Sequence, residues 1–334
     1  MDKYTRLAQF LFTLSLLFLE TSFGLTGNKT LCLDKERDAL LEFKRGLTDF
    51  FDHLSTWGDE QDKQECCKWK GIECDRRTGH VTVLDLHNEF TCSTGASACS
   101  APRLTGKLSP SLLELEYLHF LDLSVNDFEK SEIPRFIGSL KRLQYLNLTS
   151  LTSIDLLYNQ LIGQIDDRFG TLMYLEHLNL ANNFKIKGGV PSSFGNLTRL
   201  RHLNMFNTET GQWLPELFLR LSGSRKSLEI LGLNDNSLFG SIVNVTRFSS
   251  LKKLYLQKNM LNGSFMESAG QVSTLKYLDL SYNHMRGALP DLALFPSLRE
   301  LHLGSNQFQG RIPQGIGKLS QLRILDVSTN RLEG

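Results

Sequence analysis

The chain has 334 residues, 41% hydrophobic and 22% charged, a composition that excludes wholesale disorder. Its 37 Lys and Arg balance 36 Asp and Glu to a net charge of +1, so the strong basic field of a nucleic-acid-binding protein is missing. The length admits two ordinary domains or one long repetitive one.

Residues 1–24, MDKYTRLAQFLFTLSLLFLETSFG, have a basic start at Lys3 and Arg6 and an apolar run from Leu7 to Leu19. Small residues, Ser22 and Gly24, precede the expected cut. This reads as a secretory signal peptide, because the run is too short to serve as a membrane anchor. Export makes disulfides and N-glycans available.

Residues 25–80 read as an N-terminal cap. In Cys32-Leu-Asp-Lys-Glu-Arg-Asp-Ala-Leu-Leu-Glu-Phe-Lys, Asp34 is expected to cap a helix with Leu40, Phe43 and Leu47 facing inward. The helix leads to Leu-Ser-Thr-Trp57 and then to Cys66-Cys67-Lys-Trp69-Lys-Gly-Ile-Glu-Cys74. The six cysteines, Cys32, Cys66, Cys67, Cys74, Cys92 and Cys99, permit fifteen pairings. Cys67 to Cys74 lacks a second Cys or His pair at zinc spacing, so no metal is expected.

Residues 81–334 repeat one pattern, Leu-x-x-Leu-x-Leu-x-x-Asn-x-Leu-x-Gly-x-Ile-Pro. Its central Leu-x-Leu begins at Leu84, Leu121, Leu146, Ile154, Leu178, Leu203, Leu231, Leu254, Leu278, Leu301 and Leu325. From Leu231 onward the steps are 23, 24, 23 and 24 residues. One such coil cannot bury its leucines alone, so successive coils must stack, with their short strands forming a continuous parallel sheet. Asparagine recurs after the strand at Asn126, Asn159, Asn183, Asn236, Asn259, Asn283, Asn306 and Asn330. An amide that both donates and accepts can satisfy backbone groups of two neighbouring coils. Gly189-Val190-Pro191, Gly287-Ala288-Leu289-Pro290 and Gly310-Arg311-Ile312-Pro313 mark the next bend. The expected fold is therefore an α/β solenoid of about ten leucine-rich repeats, with a concave parallel sheet and a disulfide-stapled helical cap.

Three steps break the rhythm. Leu84 to Leu121 spans 37 residues, and the excess holds Cys92 and Cys99, expected to form a local disulfide. Leu203 to Leu231 spans 28, with the extra residues near Ser222 to Arg225 expected as a bulging loop and Thr208 at the ladder position. Leu146 to Ile154 spans only eight, too short for a crossover between parallel strands. About sixteen residues are missing here by this reading, and only one of the two units can form a regular strand.

No phosphate loop, zinc-protease helix or nucleophile elbow is present, and no catalytic residue or cofactor is expected. What remains is a surface. The residues flanking the inward leucines line the concave face: Phe120, Asp122, Tyr145, His177, Asn179, His202, Asn204, Phe206, Lys253, Tyr255, Tyr277, Asp279, Glu300, His302 and Asp326. Aromatics interleaved with charge are the composition of interface hot spots, although a solvated sheet face with incidental aromatics fits too. Sequons at Asn28, Asn147, Asn196, Asn244 and Asn262 are expected to carry glycans, with Asn147 doubtful because it sits on a strand.

The Leu-Asn-Gly-Ile-Pro form of the repeat resembles the plant-specific class of leucine-rich repeats. ERDALLEFKRGL, LSTWGDE, CCKWKGIECDRRTGHVTVLDLH, GKLSPSLLELEYL and LNDNSLFGSI are similar to the receptor-like proteins of the fungal ethylene-inducing xylanase receptor group. That resemblance implies the pairings Cys32–Cys66 and Cys67–Cys74. It also implies a kinase-less immune receptor at the extracellular side of the plasma membrane. Such a receptor binds a microbial protein or peptide and signals through a leucine-rich-repeat receptor kinase as co-receptor. The chain stops within a repeat at Arg331-Leu-Glu-Gly334, so it is expected to be the front part of a longer receptor, membrane-attached only if it continues. The alternatives are a secreted inhibitor or decoy in the apoplast, similar to polygalacturonase-inhibiting proteins, and a truncated non-signalling product. No cysteine follows Cys99, whereas such inhibitors end in a cysteine-bearing cap.

Overall fold

The computed structural model describes residues 32–88, 103–128, 132–139, 151–242, 245–265, 274–289 and 291–333. The leader, Asn28, Cys92, Cys99, Tyr145, Leu146, Asn147 and Asn244 lie outside the described residues. Within them the chain is a plant-type leucine-rich-repeat solenoid. Eleven strands form one sheet, and from Val81–Asp85 to Ile324–Asp326 each pairs in parallel with the next coil. The register is constant: Leu84 lies beside Leu121, Leu121 beside Ile154, and so on to Leu301 beside Leu325. These inward residues are at most 1% exposed from Leu84 to Leu301, and each contributes about 1.5–3 kcal/mol by burial.

The asparagine ladder forms as the repeat requires. Asn183 Nδ2 donates to Leu180 O and Ala181 O of its own coil and to Leu156 O of the preceding one, at 2.9, 3.3 and 2.8 Å. Its Oδ1 accepts from Asn159 N and Leu161 N at 3.1 and 3.0 Å. At the exception, Thr208 Oγ1 bonds Met205 O and Asn236 Oδ1 instead. The residue before each ladder position, from Val125 to Thr329, has φ between 52° and 61°. That left-handed step turns the chain off the strand, and it is held in non-glycine residues by the ladder bonds that follow.

The cap helix runs from Asp34 to Arg45, with Leu40 and Phe43 at 0% exposure. Asp34 is its first helical residue and not its cap: Leu33 is the cap residue, without a side-chain bond, and Asp34 pairs with Arg37 at 2.9 Å. The cap is held to the first coil by Glu36, 2% exposed, which accepts from Val81 N at 2.7 Å and bonds His80 Nδ1 at 2.8 Å. Trp57 and Trp69 stack with centroids 5.3 Å apart. Both disulfides implied by the family resemblance are present, Cys32–Cys66 and Cys67–Cys74.

The 28-residue coil differs from its expected bulging loop. Its added length is an α-helix, Leu214–Arg220, followed by a tight turn at Ser222–Ser224. Pro215 at the helix start and the inward spacing of Leu214, Leu217 and Phe218 explain it. A second parallel ladder, Phe239–Gly240 through Arg331–Glu333, was not foreseen from the sequence. It forms because the Leu-x-Gly segment is extended in consecutive coils, with glycines such as Gly287 at φ 89°.

At the phase break, the Ile154 strand pairs directly with the Leu121 strand. At this junction the asparagine ladder keeps its donor half, with Asn159 Nδ2 donating to Leu123 O at 2.9 Å, and loses its acceptor half. In other coils the amide two residues past the ladder position reaches the next asparagine's Oδ1, as Leu261 N does with Asn283. Here Phe128 N reaches Asn159 O at 3.3 Å, and the buried Asn159 Oδ1 has no partner among the described residues.

Candidate ligand-binding face

Constant register turns the strand positions into columns along the concave face. The first column includes Phe120, Ser153, His177, His202, Ile230, Lys253, Tyr277 and Glu300. The third includes Asp85, Asp122, Asp155, Asn179, Asn204, Gly232, Tyr255, Asp279, His302 and Asp326. Of the residues expected on the face, Lys253 is exposed and most are half-buried, while Asp279 is only 8% exposed.

The third column has a structural task that side-chain chemistry explains. Asp122, Asp155, Asn179, Asn204, Asp279 and Asp326 each accept, through Oδ1, from the backbone N–H two residues on. Short polar side chains close the turn after the strand in this way. Asp279 also accepts from Ser281 Oγ at 2.7 Å, so its carboxylate is committed to the turn. Asp85, His87 and Asp122 bring donor atoms within 4.8 Å of one another, a grouping this column and a bond between His87 and Asp85 already account for.

Aromatic contact is concentrated in the C-terminal half of the described face. Tyr255 and Tyr277 lie with centroids 4.6 Å apart, and His302 follows at 5.5 Å from Tyr277. Burial, then nearby carboxylates, pushes both phenols above their usual range. On the rim, Glu229 bonds Lys252 and Arg201, which hold its carboxyl down at about 2.

Across the coils from Ser153 to Gln257 the face opens into a notch of about 580 Å³. His177, His202, Asn179, Asn204, Phe206 and Tyr255 line it, as expected of face residues, together with Ser153, Asp155, Ile230, Gly232, Asn234 and Gln257. The first four of these additions flank Ile154 and Leu231, so the same flanking rule would have found them. Asn234 and Gln257 follow the second inward residues, Leu233 and Leu256, as Phe206 follows Met205, so the flanking rule reaches them too. Tyr145 lies outside the described residues. The described sequons, Asn196 and Asn262, are exposed and sit outside the strand columns.

A leucine-rich repeat region profile matches residues 99–334, and a leucine rich repeat N-terminal domain profile matches residues 33–75. The chain belongs to the leucine-rich-repeat family. It is 67% identical to Receptor-like protein EIX1 of Solanum lycopersicum and 59% identical to Receptor-like protein EIX2, in each case over 80% of the chain. The matched span is 37% and 38% of those relatives' lengths. The alignment to EIX1 runs over 386 positions but uses 80% of 334 residues, about 267, so roughly 119 positions have no counterpart in this chain. That is the length of about five coils.

Among solved structures, a plant ice-binding protein shares 25% identity at a TM-score of 0.72, covering 91% of this chain and 88% of that one. The PEPR1–AtPEP1 complex shares 28% at 0.69, covering 90% and 42%. The Arabidopsis receptor kinase HAESA with the peptide hormone IDA and the co-receptor SERK1 shares 28% at 0.58, covering 90% and 54%. One scaffold thus carries different functions, and the face must supply the argument. No helix among the described residues is long and apolar enough to cross a membrane.

Proposed function

We propose that this chain is the ligand-recognition region of a kinase-less receptor-like protein at the plant cell surface. It binds a microbial protein or peptide across the concave columns and signals through a partner receptor kinase. The observation that carries this reading is the 67% identity to Receptor-like protein EIX1. The tyrosine pair beside the notch supplies the anchors such a surface needs, since buried aromatics dominate binding energy at interfaces. The HAESA complex, with its peptide and co-receptor, shows the same scaffold holding both kinds of partner. The test is capture of a fungal ethylene-inducing xylanase by the secreted chain, wild type against Tyr255→Ala/Tyr277→Ala. The double variant should be secreted normally and bind at least tenfold more weakly. Equal binding by both proteins would refute the face.

A second reading, a non-signalling product or decoy, is favoured by the roughly 119 missing positions. Loss of about 112 residues between Leu146 and Ile154 would turn five 24-residue steps into the observed step of eight. Co-expressed with the longer receptor, such a decoy would lower its response in proportion to dose. An undiminished response would rule this reading out.

A further inference from the structure

We infer that the notch over Gly232 is a carboxylate site, in which the His177–His202 pair holds an aspartate, glutamate or chain-terminal carboxylate of the ligand. The inference rests on the concave face being the ligand surface.

Gly232 opens the notch without being required by the backbone. It lies outside the positive-φ glycines, and an added Cβ would press on the Asn204 side chain, with Oδ1 at 2.8 Å and Cγ at 3.4 Å, the same Oδ1 that accepts from Phe206 N. Its neighbours in the column, Asn204 and Tyr255, both carry side chains. The missing side chain therefore creates space in the notch that His177 and His202 also line.

The two imidazoles meet through Nδ1 atoms 2.9 Å apart, with their rings at 80°. One proton must lie between them, so in the neutral pair one Nε2 is a donor and the other an acceptor. A single added proton makes both Nε2 groups donors and gives the pair one positive charge. A second would set two N–H groups against each other. Two donors and one charge suit a carboxylate, whose two oxygens carry a single negative charge.

The surrounding charges leave one other titrating group at the site: burial pushes the Asp155 carboxyl above its ordinary value, so its protonation also favours an anion as pH falls. Arg201 and Lys252 are paired with Glu229, and Glu176 also faces Arg201 at 3.8 Å, so this rim is balanced. Asp155 is the one carboxylate lining the notch among the described residues, and it accepts from Leu157 N and Asn179 Nδ2, both at 2.9 Å. Its charge disfavours a doubly charged phosphate. Burial, then His177, pushes the His202 imidazole below its ordinary value, so His202 resists taking up a proton in the unliganded site. A bound anion opposes that shift, and by linkage its affinity rises as pH falls.

The test uses the whole chain and three small probes: N-acetyl-glutamate methylamide and its glutamine and lysine counterparts. Binding is read from histidine-ring NMR resonances at pH 5.5 and 7.5. The glutamate probe should bind at least tenfold more tightly at pH 5.5, and the glutamine probe should not bind. His202→Gln and Gly232→Val should abolish glutamate binding while backbone amide protection along the asparagine ladder is kept. Equal affinity at both pH values, preference for the lysine probe, or binding retained in Gly232→Val would overturn the site. If the probe fails while the tyrosine double variant still loses xylanase, this inference falls and the receptor reading stands.

Discussion

Asn183→Ala isolates what one rung of the ladder contributes. The side chain is 0% exposed and makes five bonds, so its loss strands two buried amides, Asn159 N and Leu161 N, and withdraws a donor from three carbonyls. At about 1–3 kcal/mol for each orphaned buried donor, with less for the carbonyls, the expected cost is about 3–6 kcal/mol. Asn236 makes the same contacts to Met205 O, Leu233 O and Asn234 O and accepts from Thr208 N and Thr210 N at 3.1 and 3.3 Å, but it is half-buried, so water can replace part of what the amide supplies. Asn236→Ala should cost only about 1–2 kcal/mol. Because repeat arrays unfold by local opening as well as globally, the assay is amide hydrogen exchange alongside denaturant titration. The Asn159 and Leu161 amides should lose protection selectively in Asn183→Ala. Equal stability losses in the two variants, or unchanged exchange at those amides, would refute burial as the source of the ladder's strength.

Three more outcomes follow from the same contacts. Glu36→Ala leaves the buried Val81 N–H without an acceptor and should destabilise the cap by about 1–3 kcal/mol, seen as early loss of Trp57 and Trp69 fluorescence change on denaturation. Tyr282 is 61% exposed with φ 54°, so Tyr282→Asn should stabilise by about 0.5–1 kcal/mol, measured as a rise in Tm. The carboxyl of Glu229 is held down at about 2 from 4.5, so its ion pairs stabilise the fold above pH 4.5 and lose that effect as pH falls toward 2. Glu229→Gln should therefore flatten the pH profile of stability across that window, modestly because Arg201 and Lys252 are nearly half exposed, and high salt should shrink the difference.

Much of the fold is legible because each coil is short and repeats. Leu203 and Leu231 could be placed inward, and Asn183 at the turn, from spacing alone, since the alternation of a strand and the step between coils leave one consistent phase. The α-helix Leu214–Arg220, just before the loop expected at Ser222 to Arg225, is not legible because its apolar spacing covers only seven residues, too few to stand out from the repeat around it. Asp34 fits a cap by residue type, but the helix begins at that residue and uses its charge on Arg37.

The face shows the same division. Residue order placed His177 and His202 outward on separate strands 25 residues apart, with nothing in the spacing to pair them. Stacking the coils set His202 beside His177 in register and brought their Nδ1 atoms to 2.9 Å. Likewise the eight-residue step announced a fault, yet only the direct pairing of Leu121 with Ile154 showed which unit keeps its place in the sheet. Periodicity is a property of one chain segment after another and is written in residue order. Contacts between coils depend on how a side chain from one repeat meets its neighbour in the next, so the notch and its histidine pair exist only once the solenoid is wound.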